Sequence, residues 1–207
     1  SQFELAKRGR GGLSVFERTI RESSNQMARI HAIWGIGQLA QETSDRAEIL
    51  VEMLEDNDPE IVAQSAKILG DLSYVPAGNQ LLPLLQHPSL RVRFFGAQAL
   101  GRLQFEAAVD PLLKLLAENA DQDVYLRHAG VLALARIGKA EPILALSNHP
   151  NRSLRLAAVL VLRRLSHPEI TRFINDQDPY ILEEVARAIN DDWSIPEGLP
   201  QLAALLL

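Results

Sequence analysis

The side chains that most often carry out chemistry are scarce in this sequence. It has no cysteine and five histidines among its 207 residues. His87, His149 and His167 each stand directly before a proline, near turns between predicted helices. A zinc site needs three or four ligands within about 2.0–2.3 Å of one ion, whereas equivalent turns of neighbouring helix pairs lie roughly 10 Å apart. We therefore predict no metal site.

The common catalytic motifs are also missing. The sequence contains no Gly-x-Ser-x-Gly, His-Glu-x-x-His, phosphate-loop or dinucleotide-binding pattern. The glycine cluster at 9–12 fits a turn between helices. The acidic pairs Glu183, Glu184 and Asp191, Asp192 fit a solvated helix surface better than a general acid–base pair. We predict no catalytic residue and no cofactor.

Composition limits both the fold and the partners. Leu and Ala dominate and only 5% of the residues are aromatic, which favours helix over sheet. The net charge is −5, and binding to a phosphate backbone needs a basic surface, so we expect no nucleic-acid partner. No apolar run approaches the roughly 20 residues that a membrane helix needs, so we expect no membrane insertion.

A repeat organises the chain. Six apolar residues occupy one column at intervals of 33, 31, 34, 28 and 27 residues: Ile36, Leu69, Leu100, Leu134, Leu162 and Ile189. Eleven residues earlier, each unit has a residue that can cap a helix: Asn25, Asp58, Ser89, Asp123, Asn151 and Asp178. The apolar positions that follow each cap, at +3, +7, +10, +11 and +14, have helical spacing.

A shorter amphipathic helix is predicted before each capped helix. These leading helices are expected around 13–20, 47–54, 80–86, 111–117, 141–146 and 169–174. Small residues in the +7 and +10 columns would let neighbouring helices approach closely. Helix pairs of this kind must stack to bury their apolar faces. We predict an all-α fold: a right-handed α-solenoid of about six helix pairs with half-repeats at both ends, forming a single domain over 1–207.

The pattern resembles HEAT repeats of the short bacterial kind, whose second helix reads Asp-x-x-Val-Arg-x-x-Ala-x-x-Ala-Leu-Gly-x-Leu. The sixth unit departs from it at Asn190 and Asp192, so we expect that helix to end early. The segments 28–39, 91–103 and 123–135 are similar to the HEAT segment of large bacterial membrane-bound dehydrogenase proteins. In those proteins a sorbosone-dehydrogenase-like propeller precedes the repeats and a cytochrome c domain follows them.

The resemblance implies a function and a compartment. It implies that this chain is a fragment of a larger periplasmic or extracytoplasmic protein and spaces its redox domains, without activity of its own. The chain would bind a protein, either flanking domains of the same chain or another protein. Two alternatives remain: a HEAT-like nucleic-acid-binding or DNA-repair protein, and an enzyme resembling the bilin lyases, which also use short HEAT-like repeats.

Arginine is much more frequent than lysine in this sequence, with 17 Arg against 4 Lys. We expect the arginines at position +4 to pair with the cap of the adjacent repeat, which makes a ladder along the solenoid. They are Arg29, Arg93, Arg127 and Arg155. Those at position +13 are expected to project outward and to bind carboxylates of a partner; they are Arg102, Arg136 and Arg164.

The outward columns of the capped helices contain apolar residues. Position +2 includes Met27, Tyr125 and Tyr180; position +6 includes Phe95, Ala129 and Ala157; position +9 includes Trp34, Leu132 and Leu160. Aromatic residues edged by arginines are typical of the centre of a protein interface. We predict Trp34, Phe95 and Tyr125 as apolar anchors of a partner-binding surface. A helical wheel rotated by one position would instead place some of these residues in the core.

Overall fold

The computed structural model describes residues 2–190 and 195–205, and within these ranges the regular structure is entirely helical. Two compact units divide at Phe105 and Glu106. No helix in the described ranges combines the length and hydrophobicity required to cross a bilayer.

The first unit contains three helix pairs and a short helix before them. The helices are α1 (Gln2–Ala6), α2 (Arg10–Glu22), α3 (Gln26–Ala40), α4 (Glu48–Glu52), α5 (Pro59–Asp71), α6 (Gly78–Leu81) and α7 (Leu90–Arg102). The leading helices α4 and α6 are flanked by 3-10 turns, at Ser44–Ala47 and Met53–Glu55 and at Val75–Ala77 and Leu82–Gln86. Pro83 lies in the last of these turns, where its missing N–H prevents a regular α-helical hydrogen bond.

The second unit also contains three pairs and ends in a short helix. Its helices are α8 (Val109–Asn119), α9 (Val124–Ile137), α10 (Ala140–Leu144), α11 (Arg152–Arg164), α12 (Pro179–Asn190) and α13 (Leu199–Ala204). A 3-10 turn at Glu106–Ala108 precedes α8, the leading element of the last pair is the 3-10 segment Pro168–Phe173, and Pro196–Gly198 precedes α13. The predicted all-α fold with six helix pairs is therefore confirmed. Asp192, on which the early end of the sixth helix depended, lies outside the described residues, as does Asp191.

The starts of the capped helices follow one rule with one departure. The side chains of Asn25, Asp58, Asp123, Asn151 and Asp178 accept hydrogen bonds from backbone N–H groups in the first turn that follows. Ser89 precedes α7, but its hydroxyl makes no such bond. The turn before α7 is closed by His87 instead, because the His87 Nδ1 accepts from the Ser89 N–H at 3.0 Å.

The repeat column at +11 lies in the core. Its six members are at most 2% exposed: Ile36, Leu69, Leu100, Leu134, Leu162 and Ile189. After four of the capped helices the backbone turns at position +15 with positive φ, at Ser73, Gln104, Gly138 and Ser166. Such a left-handed residue ends a helix and returns the chain for the next leading helix.

Two of the four arginines at position +4 contact the next repeat, at a different column from the predicted one. Arg29 pairs with Asp56, and Arg155 pairs with Asp176 at 2.7 Å. Each of these carboxylates stands two residues before the cap of the next repeat. The prediction that the arginines bind the caps is wrong because both oxygens of a cap such as Asp58 are already occupied. Its Oδ1 accepts from the Glu60 N–H and its Oδ2 accepts from the Gln26 side chain.

The outward columns divide between surface and core. Met27, Tyr125 and Tyr180 at position +2 are 55%, 75% and 41% exposed. Ala129 and Ala157 at position +6 are buried, so for these two residues the alternative of a core position holds instead of an outward one. At about 100° per residue, position +6 flanks the apolar stripe, and the neighbouring helix covers it.

Candidate functional site

A concave surface of the first unit is formed by the capped helices α3, α5 and α7. We call it the aromatic groove; it has a volume of about 770 Å³. Its apolar lining includes Phe3, Trp34, Ile68, Leu72 and Phe95. A volume of 300–1,000 Å³ is typical of small-molecule sites, so the groove is large enough for an organic ligand.

A hydrogen-bond network fixes one wall of the aromatic groove. The Trp34 Nε1–H donates to Gln64 Oε1 at 2.9 Å, and Gln64 Nε2 donates to Glu60 Oε1 at 2.7 Å. Arg91 donates to both carboxylate oxygens of Glu60, at 2.6 and 3.0 Å. Gln64 is buried, and a buried amide that is bonded on both sides holds its neighbours in one geometry. The network joins α3, α5 and α7 through side chains.

Charge reinforces this network. Burial alone would raise the pKa of Glu60, but the hydrogen bonds from Arg91 and Gln64 outweigh burial and hold that pKa below its ordinary value. The Glu60 carboxylate in turn raises the pKa of Arg91. The Arg91 guanidinium also lies over the ring of Phe95, 5.1 Å from its centre, a geometry typical of cation–π contacts. Arg91 therefore supports the aromatic wall and carries positive charge at its rim.

A second set of charges lies at the same groove around Asp71. Its carboxylate pairs with Lys67 on the preceding turn of α5 at 2.6 Å and with Arg102 on α7 at 3.1 Å. All three side chains remain 30–39% exposed. Arg102, predicted as an outward arginine that binds carboxylates of a partner, is thus paired with Asp71 within this chain.

A histidine completes the rim. The ring of His31 meets Trp34 edge-on, with the ring centres 5.1 Å apart. Its Nδ1 lies 3.0 Å from the Gln2 side-chain oxygen on α1. The groove thus presents aromatic side chains with amide, imidazole, carboxylate and cationic groups around them.

The six predicted partner-binding residues are distributed over both units. Trp34, Phe95 and Arg102 lie in the first unit, and the first two line the aromatic groove. Tyr125, Arg136 and Arg164 lie in the second unit, where Tyr125 is exposed, Arg136 is half-buried and Arg164 is exposed. Their role in binding a partner stays a prediction.

The histidines in the turns have a structural role. The Nδ1 atoms of His87, His149 and His167 each accept a backbone N–H two residues later, at 3.0, 3.0 and 3.3 Å. In the part of the chain that the structure describes, no group of three His, Asp or Glu side chains is placed to hold a metal ion.

Sequence reasoning missed three residues of the site, namely Glu60, Gln64 and Arg91. They occupy polar positions on α5 and α7 that a helical wheel assigns to solvent. For two of them the sequence does contain a signal: Glu60 and Gln64 are four residues apart and therefore lie on one helix face.

The chain is similar to known repeat proteins in sequence and in fold. Residues 78–147 match a family model described as HEAT repeats. The fold resembles a chain in the complex of CpcE and CpcF of phycocyanin lyase from Nostoc sp. PCC7120, with a TM-score of 0.61 over 86% of this chain and 75% of that one, at 23% identity. A designed armadillo repeat protein matches 85% of this chain and 98% of its own, with a TM-score of 0.51 at 15% identity. The fold is that of an α-solenoid, and residues 78–147 within it resemble HEAT repeats.

A curated relative bears on function. The chain is 31% identical over 104 residues to the phycocyanobilin lyase subunit alpha of Synechococcus elongatus. The match covers 47% of this chain and 38% of that relative. It overturns the expectation of a spacer between dehydrogenase redox domains, since the relatives are lyase subunits. The prediction that this segment has no enzymatic activity of its own is contradicted by the same finding.

Proposed function

We propose that the chain binds a bilin as part of a bilin lyase, with the aromatic groove as the bilin site. The observation that carries this proposal is the 31% identity with phycocyanobilin lyase subunit alpha. The resemblance of the fold to a chain of the CpcE–CpcF complex agrees with it. The groove gives the proposal a location that variants can test.

The groove matches the chemistry of a bilin. A bilin is an open-chain tetrapyrrole with an extended π system, pyrrole N–H donors and two propionate groups. The faces of Trp34 and Phe95 offer aromatic surface for the π system. Arg91 and Lys67 are 55% and 39% exposed and can form charge-assisted bonds with the propionates. Asp71 can accept hydrogen bonds from pyrrole N–H groups.

In this role the chain acts by holding and presenting its ligand. The network from Trp34 through Gln64 to Glu60 keeps the aromatic wall in place before the ligand arrives, which lowers the entropy lost on binding. A protein partner fits the same account, because HEAT-type solenoids present extended surfaces to other proteins. The expectation of no nucleic-acid partner stays a prediction.

The test is a titration of the purified chain with phycocyanobilin, followed by visible absorption. We expect binding by the unaltered chain and a dissociation constant raised about tenfold in Phe95→Ala, since an aromatic contact contributes about 0.5–1.5 kcal/mol beyond its buried area. Tyr125→Ala, which removes an exposed aromatic residue from the second unit, is the matched control and should bind as the unaltered chain does. An unchanged bilin spectrum, or equal affinity for Phe95→Ala and the unaltered chain, would contradict the proposal.

A further inference from the structure

The second unit has a concave surface of its own between α9 and α11. We call it the α9–α11 hollow; its volume is about 740 Å³. Its lining residues are Val124, Arg127, His128, Val131, Leu160, Arg163, Arg164 and Ser166. The bilin proposal uses none of these residues.

The charge of the α9–α11 hollow is positive. Three arginines and one histidine line it, and its lining contains no Asp or Glu. In a chain whose net charge is −5, a concave surface with charges of one sign concentrates ligands of the opposite sign.

Two of the three arginines are held by carboxylates outside the hollow. Arg127 pairs with Asp121, and Arg163 pairs with the buried Glu184 at 3.4 Å. These pairs orient the guanidinium groups and neutralise much of their charge. Arg164 is exposed, and the described residues place no carboxylate within ion-pair distance of it. An anion bound in the hollow would therefore meet the charge of Arg164, with two oriented guanidinium groups beside it.

The hollow also contains apolar surface. Val131 is buried, Leu160 is half-buried and Val124 is 52% exposed. Aliphatic side chains beside guanidinium groups favour a ligand with an apolar body and one anionic end. An inorganic anion would leave this apolar surface unused.

We propose that the α9–α11 hollow is a binding site for a small organic carboxylate with an apolar body. The carboxylate bonds to Arg164, and the apolar body lies against Val124 and Leu160. This site is separate from the aromatic groove and lies in the other unit. The proposal does not depend on bilin binding.

The test uses two probes that differ in charge. The full chain is labelled with ¹⁵N and titrated with 4-phenylbutyrate or with 4-phenylbutanol, its neutral counterpart, while backbone amide shifts are followed by NMR. A ligand this small binds weakly, so we expect saturable shifts in α9 and α11 with a dissociation constant on the order of 1 mM for the carboxylate. The alcohol should bind more weakly.

Variants assign the effect to the charge. Arg164→Gln should weaken 4-phenylbutyrate binding about fivefold, as expected for one partly exposed ion pair, and should leave the affinity for 4-phenylbutanol unchanged. Arg172→Gln is the matched control, because Arg172 is an exposed arginine of the same unit outside the hollow. It should bind both probes as the unaltered chain does.

Several results would overturn the proposal. They are the absence of saturable shifts in α9 and α11, equal affinity for the two probes, and an Arg164→Gln chain that binds 4-phenylbutyrate normally. Saturation by acetyl-Phe-Asp-amide without saturation by 4-phenylbutyrate would show that the hollow receives a protein carboxylate instead of a small molecule. These NMR titrations contain no bilin, so their results do not depend on whether the aromatic groove binds one.

Discussion

Replacing Gln64 tests the network that holds the wall of the aromatic groove. Gln64→Leu keeps the approximate size of the side chain and removes its donor and its acceptor. The lost bond from Trp34 is worth about 1 kcal/mol, and the lost bond to the Glu60 carboxylate about 1.5–3 kcal/mol. Burial of the added apolar surface returns roughly 1 kcal/mol. We expect the free energy of unfolding to fall by about 2 kcal/mol.

A double-mutant cycle separates the Trp34 bond from the rest. Urea unfolding, followed by circular dichroism, is measured for Gln64→Leu, for Trp34→Phe and for the double variant. We expect a coupling of about 1 kcal/mol, the value of the one hydrogen bond that both changes remove. The matched control is Gln80→Leu, an exposed position on α6, which should show no coupling to Trp34→Phe. A Gln64–Trp34 coupling below about 0.3 kcal/mol would refute the reasoning.

Three further predictions concern the packing and charge of the repeats. Ser65→Ala should raise the free energy of unfolding by about 1 kcal/mol in urea, because the buried Ser65 hydroxyl has no hydrogen-bond partner among the described residues. Gly70→Ala should lower it by about 1–3 kcal/mol in the same assay, because the added Cβ would lie 2.7 Å from the Ala99 Cα. Below about pH 4, the free energy of unfolding of Asp176→Asn should fall less steeply with decreasing pH than that of the unaltered chain, in acid titrations followed by circular dichroism.

The sign of the pH effect follows from the environment of Asp176. Burial alone would raise its pKa, but the Arg155 guanidinium and the Asp178 N–H hold that pKa below its ordinary value of 3.8. As the pH falls, the Asp176 carboxylate therefore takes up a proton in the unfolded chain before it does so in the folded chain. The stabilisation that it provides above about pH 4 is lost as the pH falls through its lowered pKa in the folded state. An equally steep loss of stability below about pH 4 in Asp176→Asn and in the unaltered chain would count against this assignment.

The two packing predictions have their own contradicting results. They are a Ser65→Ala chain that is less stable than the unaltered chain, and a Gly70→Ala chain of unchanged stability.

Much of the fold follows from local rules that the sequence displays. The spacing of Asn25, Asp58 and the later caps predicts where the capped helices begin, because every cap except Ser89 bonds to its own first turn. The sequence predicts the positions of the leading helices, but α4 and α6 are flanked by 3-10 turns and the sixth leading element is a 3-10 segment, features that depend on prolines such as Pro83 and on packing. The partner of Arg155 could not be read locally, because it depends on which carboxylate of the next repeat is still free to accept.

The site was less predictable than the fold. Trp34 and Phe95 stand out as aromatic residues in outward columns, and they line the groove. Gln64 did not stand out, since its importance comes from Trp34 and Glu60 on either side of it. The sequence offers the bilin-lyase resemblance only as an alternative, because the chain contains no catalytic motif, and the proposed role, based on groove shape and surface chemistry, leaves no short pattern in the sequence.

Tryptophan emission tests the central claim most directly. The chain has two tryptophans, so Trp193→Phe leaves Trp34 as the only tryptophan, which is excited selectively at wavelengths that tyrosine does not absorb. A bilin bound in the aromatic groove would contact Trp34 and quench its emission by energy transfer. We predict nearly complete quenching when phycocyanobilin reaches a concentration equal to that of the protein. Full Trp34 emission in the presence of equimolar or excess phycocyanobilin would contradict the account.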